Sequence, residues 1–481
     1  MNRVSPRVHA WLVGIVVALG AAGQVARSAQ GPPASTPAVE QLRRWLDVFN
    51  AADPERWRQF LSQFATPRPG PYVPQNLALR RQVGGFELVR IDDASATRAV
   101  AIVKERESES IGARLIVEVE AADPHRIVDV QIEPGVRLPV QIARLPDAAL
   151  SPAIESELVR RSADGRFAGA VLVAKGGVPV HQSAWGLADR EQNVPNRLDT
   201  RFRNGSMNKM FTAVAVMTLV QAGKVRLEEP IGTYLPAYPN GSVSRRVTVH
   251  HLLTHTGGTG DAFGPEFAAN RDRIRQHQDY VDRFAAQPLL FDPGTRWAYS
   301  NYGFILLGAL IEKVSGRSYY EYVRDHVYVP SGMRDTGSEP EGTAVPRLSV
   351  GYMRPPGSPA SMANTPTLPY RGTAAGGGYT TVGDLMRFAD ALMSHTLLSA
   401  EATRLLTTGK VEGAGGRYAY GFIEHVSNGV RSVGHGGNAP GMDGSLEIFP
   451  ESGYVVAVLA NTDPPAAQRV SEFVVNRVPA R

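Results

Sequence analysis

The stretch Asn204-Gly205-Ser206-Met207-Asn208-Lys209 opens an apolar run, MFTAVAVMTLV, that ends at Val220. This density of apolar residues predicts a largely buried helix that begins near Ser206. Residues three apart on a helix share a face, so we expect Lys209 to lie beside Ser206. Burial can lower the pKa of an amine until it accepts a proton from a neighbouring serine, which activates the hydroxyl as a nucleophile. On this stretch alone, a helix-capping serine followed by a solvated lysine is the alternative.

A second stretch, Tyr299-Ser300-Asn301, carries groups that such a site needs. A tyrosine can pass a proton between nucleophile and leaving group, and an asparagine amide can orient a substrate carbonyl and the lysine. Tyr238-Pro239-Asn240 has the same Tyr-x-Asn pattern, but we expect it to form a surface turn with no helix behind it. We therefore predict that Tyr299 and Asn301 belong to the site.

The third stretch is His435-Gly436-Gly437-Asn438, which follows a predicted strand. Glycines at a strand edge let a substrate backbone lie close, and the Asn438 backbone N–H would share an oxyanion hole with that of Ser206. His435 would supply a donor or an adjustable charge that faces the nucleophile. His255-Thr256-Gly257 has the same His-x-Gly pattern, but we expect His255 to be a buried structural residue. His251 and His255 have metal-ligand spacing without carboxylate-rich partners, so we predict no metal site and no cofactor.

Strands are predicted at both ends of a large unit, residues 150–478, with a mainly helical section between them. The predicted strands, followed by a closing helix at 464–478, are 168–175, 178–187, 417–424, 431–435, 443–449 and 454–460. This order implies an α+β domain in which one antiparallel sheet is assembled from both termini and a helical lobe is inserted in the middle. A cleft between sheet and lobe is the natural place for a site.

Residues 36–137 predict a separate small α+β domain, with 139–152 as a linker and a helix from Ala153. Its predicted helices are 37–50, 54–64 and a stretch around 77–81, and its predicted strands are 86–90, 98–105, 113–120 and 127–133. Helices followed by an antiparallel sheet resemble the cone-shaped domains of the nuclear-transport-factor-2-like (NTF2-like) type.

Residues 1–29 have the layout of a secretory signal, with Arg3 and Arg7 ahead of the apolar run 11–22 and small residues after it. The run is shorter than the roughly 20 apolar residues of a comfortable membrane span. We therefore expect cleavage, no stable membrane span afterwards, and a periplasmic or secreted protein. An uncleaved membrane anchor is the alternative, and the cleavage position is not fixed by the sequence.

The amino-acid composition and net charge exclude some kinds of catalytic chemistry and some classes of binding partner. The 481 residues include no cysteine, which excludes thiol catalysis and disulfides. The net charge of +5 would fall to +2 without the three arginines of the signal segment, so no concentrated basic face for nucleic acid is expected. The expected partner is a small-molecule or peptide acyl donor, and the oligomeric state is not determined.

Taken in order, Ser-x-x-Lys, Tyr-x-Asn and His-x-Gly resemble the motifs of the serine β-lactamase and penicillin-binding-protein superfamily. The closer resemblance is to the class C β-lactamase-like branch, which includes D-alanyl-D-alanine carboxypeptidases, D-aminopeptidases and esterases. Supporting phrases are Leu227-Glu228-Glu229-Pro230-Ile231, His251-Leu252-Leu253-Thr254-His255-Thr256, Phe291-Asp292-Pro293-Gly294 and Ala375-Gly376-Gly377-Gly378-Tyr379-Thr380-Thr381. The likeness implies a β-lactamase/transpeptidase-like fold over residues 150–478.

The resemblance also implies roles for the residues of the three motifs. Ser206 would attack a carbonyl to form an acyl-enzyme, and Lys209 with Tyr299 would move the proton. The backbone amides of Ser206 and Asn438 would hold the oxyanion until water releases the acid. Substrate contacts would come from Asn301, His435, Gly436 and Gly437.

One residue departs from the class C pattern, because His435 stands where those β-lactamases carry a lysine. A lysine is a fixed cation suited to a substrate carboxylate, whereas a neutral histidine holds one less strongly. The leading hypothesis is therefore an exported serine hydrolase of an ester or amide, with D-amino-acid peptides among the candidates. The alternatives are a penicillin-recognising D-alanyl-D-alanine carboxypeptidase or β-lactamase, and a non-catalytic binding protein.

Overall fold

The computed structural model describes residues 35–67, 71–358 and 360–480. The predicted signal segment, residues 1–29, therefore lies outside the described residues. Within those three ranges, none of the helices combines the length and the apolar character needed to cross a bilayer.

The first unit packs three helices on a four-stranded antiparallel sheet, which confirms a small α+β region. Its elements are α1 (Pro37–Ala51), α2 (Pro54–Phe64), α3 (Tyr72–Val83), β1 (Phe86–Ala94), β2 (Arg98–Glu105), β3 (Ile111–Val119) and β4 (Ile127–Arg137), with strand order β1-β2-β3-β4. Thr36 and Asp53 accept backbone N–H groups at the starts of α1 and α2, where a proline follows as the first helical residue. Trp45, Trp57 and Phe49 are fully buried and fill the space between helices and sheet.

The helix after this unit, α4, begins at Asp147 and ends at Ala163, so the predicted linker to residue 152 and helix start at Ala153 are wrong. Pro152 lies inside α4 because proline's fixed φ is helical, and the ring costs one backbone hydrogen bond. Leu150, Ile154 and Leu158 recur at helical spacing and are fully buried. Their burial offsets the lost bond and extends the helix back beyond the proline.

The second unit contains the main sheet and an inserted helical lobe. Its amino-terminal half contains β5 (Gly169–Lys175), β6 (Val178–Trp185), β7 (Leu187–Asp189), β8 (Val194–Pro195), β9 (Phe202–Arg203), α5 (Asn208–Gln221), α6 (Gly241–Arg246), α7 (Val249–Leu253), α8 (Pro265–Asn270), α9 (His277–Phe284), α10 (Asn301–Ser315) and α11 (Tyr319–Val323). Its carboxyl-terminal half contains β10 (Tyr352–Met353), β11 (Met362–Ala363), β12 (Tyr379–Thr380), α12 (Val382–Met393), α13 (Ala400–Thr407), β13 (Val411–Gly413), β14 (Gly416–Tyr418), β15 (Ile423–Ser427), β16 (Val430–Ala439), β17 (Met442–Phe449), β18 (Tyr454–Ala460) and α14 (Ala466–Val475).

The main sheet has eight antiparallel strands in the order β13-β14-β15-β16-β17-β18-β5-β6. The pairing of β18 with β5 joins the two ends of the unit, as the sequence predicts. The single strand predicted over 417–424 is wrong, because β14 ends at Tyr418 and β15 begins at Ile423. Gly421 has φ 69° in the turn between them and lies against α5, where an added Cβ would be 2.6 Å from the Lys209 carbonyl oxygen. The chain reverses here in a hairpin, with β14 and β15 paired antiparallel, and glycine fits against the helix at this point because it has no Cβ.

Helix α5 is buried on nearly all sides, between the lobe and the sheet. This burial confirms the prediction drawn from its apolar run. Tyr238, expected in a surface turn, is instead only 7% exposed, and its hydroxyl is 3.0 Å from that of Tyr302 on α10. The surface prediction is wrong because the Pro/Gly-rich segment folds back onto α10.

The two units meet through polar side chains while each keeps a separate hydrophobic core. Arg469 of α14 pairs with Glu105 of β2 and lies 3.2 Å from Glu472. Glu472 also accepts hydrogen bonds of 2.6 Å from the hydroxyls of Ser108 and Ser110. Buried charges need such partners, so this contact fixes how the units meet without merging their cores.

Candidate active site

Ser206 lies in a short 3-10 turn, Gly205–Met207, directly before α5, and its side chain is half-buried. Gly205 has φ 49°, a left-handed conformation that favours glycine and turns the chain into the helix. One turn on, the Lys209 Nζ is 3.2 Å from the Ser206 Oγ. The structure thus brings amine and hydroxyl together as the three-residue spacing predicts.

The Lys209 side chain has no exposed surface, and its Nζ contacts three oxygen atoms. It donates to Asn301 Oδ1 at 2.8 Å and to the carbonyl oxygen of Ala375, and it faces Ser206 on the third side. Burial lowers the pKa of Lys209 to about 7, against a smaller opposing effect of the Asp261 carboxylate. A neutral amine has two N–H bonds and one lone pair. Because the two carbonyl oxygens can only accept, they take both N–H groups and leave the lone pair facing Ser206.

Tyr299 and Asn301 are held at the start of α10 by its capping residue. The Ser300 hydroxyl accepts a hydrogen bond of 2.9 Å from the backbone N–H of Gly303. The Tyr299 ring centroid is 4.7 Å from the Lys209 Nζ, and Ser206 is near enough to lower the pKa of Tyr299 against the larger effect of burial. Burial raises the pKa of Tyr299, so at neutral pH this hydroxyl carries its proton.

His435 on β16 joins a buried chain of hydrogen bonds that includes two residues from other elements. Its Nε2 is 3.1 Å from the Tyr418 hydroxyl, which is 2.9 Å from His255 Nε2. The Nδ1 of His255 accepts the Ser300 backbone N–H at 3.1 Å, and the Nδ1 of His435 contacts the Gly436 carbonyl oxygen. The chain therefore links the strand edge to the loop that carries Tyr299.

The partners at the two ends of this chain fix both tautomers. The Ser300 N–H requires an unprotonated Nδ1 on His255, so His255 donates from Nε2 to the Tyr418 oxygen. Tyr418 then donates to Nε2 of His435, whose Nδ1–H donates to the Gly436 carbonyl. Burial lowers the pKa of His435 to about 3 and that of His255 well below its usual value. Both rings are neutral and fully bonded, so in this arrangement no His435 nitrogen faces the nucleophile with a free donor or a charge.

The strand β16 lies directly against the turn that carries Ser206. A Cβ added to Gly205 would be 3.0 Å from the Asn438 backbone nitrogen, so the Asn438 amide borders the Ser206 turn. A Cβ at Gly437 would overlap the Asn204 carbonyl oxygen and lie 2.9 Å from Met207 N. Gly436 faces the opposite side of the strand, where Gln468 Nε2 of α14 is 3.8 Å from an added Cβ. Of the two glycines predicted to contact substrate, the structure places only Gly437 against the Ser206 turn.

Asp261, which none of the sequence motifs indicates, lies beside Asn301. Its Oδ2 accepts a hydrogen bond of 3.0 Å from Asn301 Nδ2, and its Oδ1 accepts one of 3.1 Å from the Phe263 backbone N–H. The side chain is exposed to solvent. Only its place after the glycine-rich turn 257–260 distinguishes it in the sequence, and that is no signal for a site. No motif indicates Tyr418 either, since nothing local connects it with His435.

The histidine pair with metal-ligand spacing is occupied by other contacts. His255 belongs to the chain described above, and His251 Nδ1 accepts the Thr248 backbone N–H at 3.2 Å in a helix cap. Within the part of the chain that the structure describes, no group of three or more histidine, aspartate or glutamate side chains is arranged to hold a metal ion.

Comparisons with known proteins identify the family of the chain. The family described as Beta-lactamase matches residues 154–478. Among curated proteins, the chain is 30% identical over 295 residues to the putative penicillin-binding protein PbpX of Bacillus subtilis, which covers 61% of this chain and 70% of that protein. It is 33% identical over 284 residues to the esterase EstB of Burkholderia gladioli, which covers 52% of this chain and 72% of the esterase.

Solved structures show the same fold over about two thirds of the chain. A penicillin-binding protein from Bacillus halodurans superposes with a TM-score of 0.60 at 33% identity and covers 66% of this chain and 97% of that one. A D-stereospecific amidohydrolase from Streptomyces superposes with a TM-score of 0.56 at 28% identity, covering 67% and 97%. The fold is the β-lactamase/transpeptidase-like α+β fold, and the chain belongs to the Beta-lactamase family as one of its serine hydrolases.

Proposed function

We propose that this protein hydrolyses an ester or amide through an acyl-enzyme formed on Ser206. The observation that carries the proposal is the hydrogen bonding of Lys209, whose two carbonyl partners leave the amine lone pair facing the Ser206 hydroxyl. With its pKa lowered to about 7, Lys209 is neutral in a large fraction of molecules at physiological pH. A positioned amine of this kind is a competent general base.

In the acylation step, Ser206 Oγ forms a bond to the substrate carbonyl carbon while its proton passes to Lys209 Nζ. The resulting ammonium returns a proton through the Tyr299 hydroxyl, which protonates the departing alcohol or amine. The carbonyl oxygen becomes an oxyanion held by the backbone amides of Ser206 and Asn438. One such donor contributes about 10²- to 10³-fold to the rate.

In the deacylation step, water attacks the acyl-enzyme carbonyl and gives its proton to the same Lys209 and Tyr299 pair. Collapse of the second oxyanion returns the proton to Ser206 Oγ and releases a carboxylic acid. No other base is needed, because expulsion of the leaving group restores the neutral amine. The cycle therefore closes with the side chains in their starting protonation states.

The substrate class follows from the state of His435, which is neutral and has both ring nitrogens bonded to protein groups. A neutral, occupied ring offers no fixed cation for a substrate carboxylate. We therefore propose uncharged acyl donors, esters or amides, including amides and peptides of D-amino acids. The esterase and D-stereospecific amidohydrolase relatives support this proposal.

A second candidate is a penicillin-recognising carboxypeptidase or β-lactamase, which the penicillin-binding relatives favour. The state of His435 weighs against it, because penicillins carry a carboxylate next to the β-lactam ring. A substrate panel of a p-nitrophenyl ester, a D-amino-acid anilide and a chromogenic β-lactam distinguishes the candidates. Faster turnover of the β-lactam than of the ester would favour the second candidate.

Ser206→Ala is the control for both candidates. The substitution removes one half-buried oxygen, so melting should be unchanged while turnover falls at least about 10³-fold. A fluorophosphonate probe and a fluorescent penicillin should be tested on the same two proteins. Labelling by the phosphonate alone supports the first candidate, and labelling by both supports the second. Turnover retained in purified Ser206→Ala would reject the acyl-enzyme assignment.

We also propose that the protein is exported to the periplasm or beyond. The charged start, short apolar run and small residues of positions 1–29 support this location. Cell fractionation and amino-terminal sequencing of the purified protein test it. An intact amino terminus in the cytoplasmic fraction would contradict it.

For the first unit we propose an NTF2-like domain. Three helices packed on a four-stranded antiparallel sheet support the proposal, as do the irregular registers where β1 pairs with β2 and β3 with β4, which curve a sheet. A crystal structure of residues 36–137 would test it, and a flat or reordered sheet would contradict it.

A further inference from the structure

Asp261 lies at the exposed edge of the site, and its carboxylate is held in one orientation. Its Oδ1 accepts the Phe263 backbone N–H at 3.1 Å, and its Oδ2 accepts Asn301 Nδ2 at 3.0 Å. Burial raises the pKa of Asp261, and the two N–H contacts, which favour the ionised carboxylate, oppose that effect. Gly260, with φ 71°, makes the turn that brings Asp261 to the start of α10.

The orientation of Asp261 fixes the orientation of Asn301. An ionised carboxylate only accepts hydrogen bonds, so the Asn301 amide must turn its NH₂ group toward Asp261. Its carbonyl oxygen then faces Lys209 Nζ, 2.8 Å away. If the amide were turned over, its NH₂ group would face the lysine and donate to the lone pair that must accept the Ser206 proton. A neutral Lys209 amine can accept as well as donate a hydrogen bond, so without Asp261 either orientation of the Asn301 amide would find a partner there.

The charge of Asp261 also acts on Lys209. The other titratable groups around the amine are Tyr299, which keeps its proton, and His255 and His435, which are neutral. Within the described ranges, Asp261 is therefore the charged group near the Lys209 amine. Its negative charge raises the pKa of Lys209, whereas burial lowers it. The effect of Asp261 on the orientation of Asn301 and the effect of its charge on Lys209 can therefore be tested separately.

We infer that Asp261 is a positioning residue for acylation: it holds the Asn301 carbonyl on Lys209 and thereby directs the lysine lone pair at Ser206. The inference rests on the proposed function. It explains why a solvent-exposed aspartate is tied by two hydrogen bonds to the edge of an otherwise buried network.

Asp261→Asn removes the charge at nearly constant shape and lets either amide turn over. We expect the plateau rate of serine labelling by a fluorophosphonate to fall about tenfold, since one hydrogen bond to a charged group is lost. The acid limb of the rate against pH should move to lower pH by about 0.5 to 1 unit, because loss of a nearby negative charge lowers the pKa of Lys209. A purely structural role would lower the rate without moving the limb.

Two further variants separate the effect of the Asp261 charge from that of its geometry. Glu266→Gln removes the same charge from the neighbouring helix α8, where Glu266 is exposed and 3.4 Å from Arg283; its profile should match wild type. Asp261→Glu keeps the charge but lengthens the side chain. We expect it to keep the position of the acid limb while losing plateau rate, and it also serves if Asp261→Asn melts early.

The outcomes separate this inference from the proposed function. If Ser206→Ala still labels, the proposed function fails whatever Asp261 does. If Ser206→Ala is inert and Asp261→Asn gives the wild-type rate and acid limb, the positioning role alone is wrong. An equal shift of the limb in Glu266→Gln would also overturn it, because the effect would then be general electrostatics.

Discussion

The single methyl group that Gly437→Ala adds should disrupt the proposed oxyanion hole. The Gly437 α-carbon faces the turn that carries Ser206, and an added Cβ would overlap the Asn204 carbonyl oxygen. It would also lie 2.9 Å from both the backbone nitrogen and the Cγ of Met207. The nearest atom is a backbone oxygen, so movement of the Met207 side chain alone cannot relieve the overlap. Strand β16 and the serine turn must separate instead.

The required separation sets the size of the effect. Ordinary non-bonded contacts lie near 3.5 Å, so the two backbones must move apart by roughly 1.5 Å. Oxyanion donors work at 2.7 to 3.1 Å, and a shift of that size removes one of the two amides from range. We expect kcat to fall about 10²- to 10³-fold, or about 3 to 4 kcal/mol. Strain from overpacking should lower the free energy of unfolding by about 1 to 3 kcal/mol.

The neighbouring residue provides a matched control. A Cβ at Gly436 would point to the other side of β16, 3.4 Å from the Gly444 carbonyl oxygen and 3.8 Å from Gln468. Gly436→Ala therefore adds the same methyl group at ordinary contact distance, and kcat should change by less than about threefold. Steady-state hydrolysis of a p-nitrophenyl ester, with urea unfolding of both variants, measures the two effects. Equal loss in both variants, or full activity in Gly437→Ala, would refute the proposed oxyanion geometry.

The remaining predictions concern the base, the buried chain and the first unit. Because Lys209 must be neutral to accept a proton, kcat/KM for an uncharged ester should decline as pH falls through about 7; a flat pH profile from 5.5 to 8 would contradict this. Tyr418→Phe leaves Nε2 of His435 and Nε2–H of His255 unpaired, so urea unfolding should show a loss of about 1 to 3 kcal/mol; an unchanged midpoint would contradict the buried chain of hydrogen bonds. Deleting residues 36–137 uncovers a polar face of α14, so the remainder should stay soluble and hydrolyse the ester; aggregation in size-exclusion chromatography would show that the units share a core.

Local patterns predicted most of the secondary structure. Strand β2 and helix α2 have the predicted bounds, and the pairing of β18 with β5 joins the ends of the second unit as expected. The failures have non-local causes. The strand predicted over 417–424 is broken by a hairpin turn in which Gly421 lies against α5, and α4 continues through Pro152 because its apolar face is buried.

For the site, the sequence alone determined that Ser206 and Lys209 lie side by side, since three residues on a helix fix that distance whatever surrounds them. The order of the three motifs likewise identified the group of hydrolases. Only the tertiary structure decided what the side chains bond to. Asp261 is 40 residues from Asn301, and Tyr418 is 163 residues from His255. A local period carries no information about such pairs, because their contacts depend on how distant elements pack, and that packing sets the charge of Lys209 and the tautomer of His435.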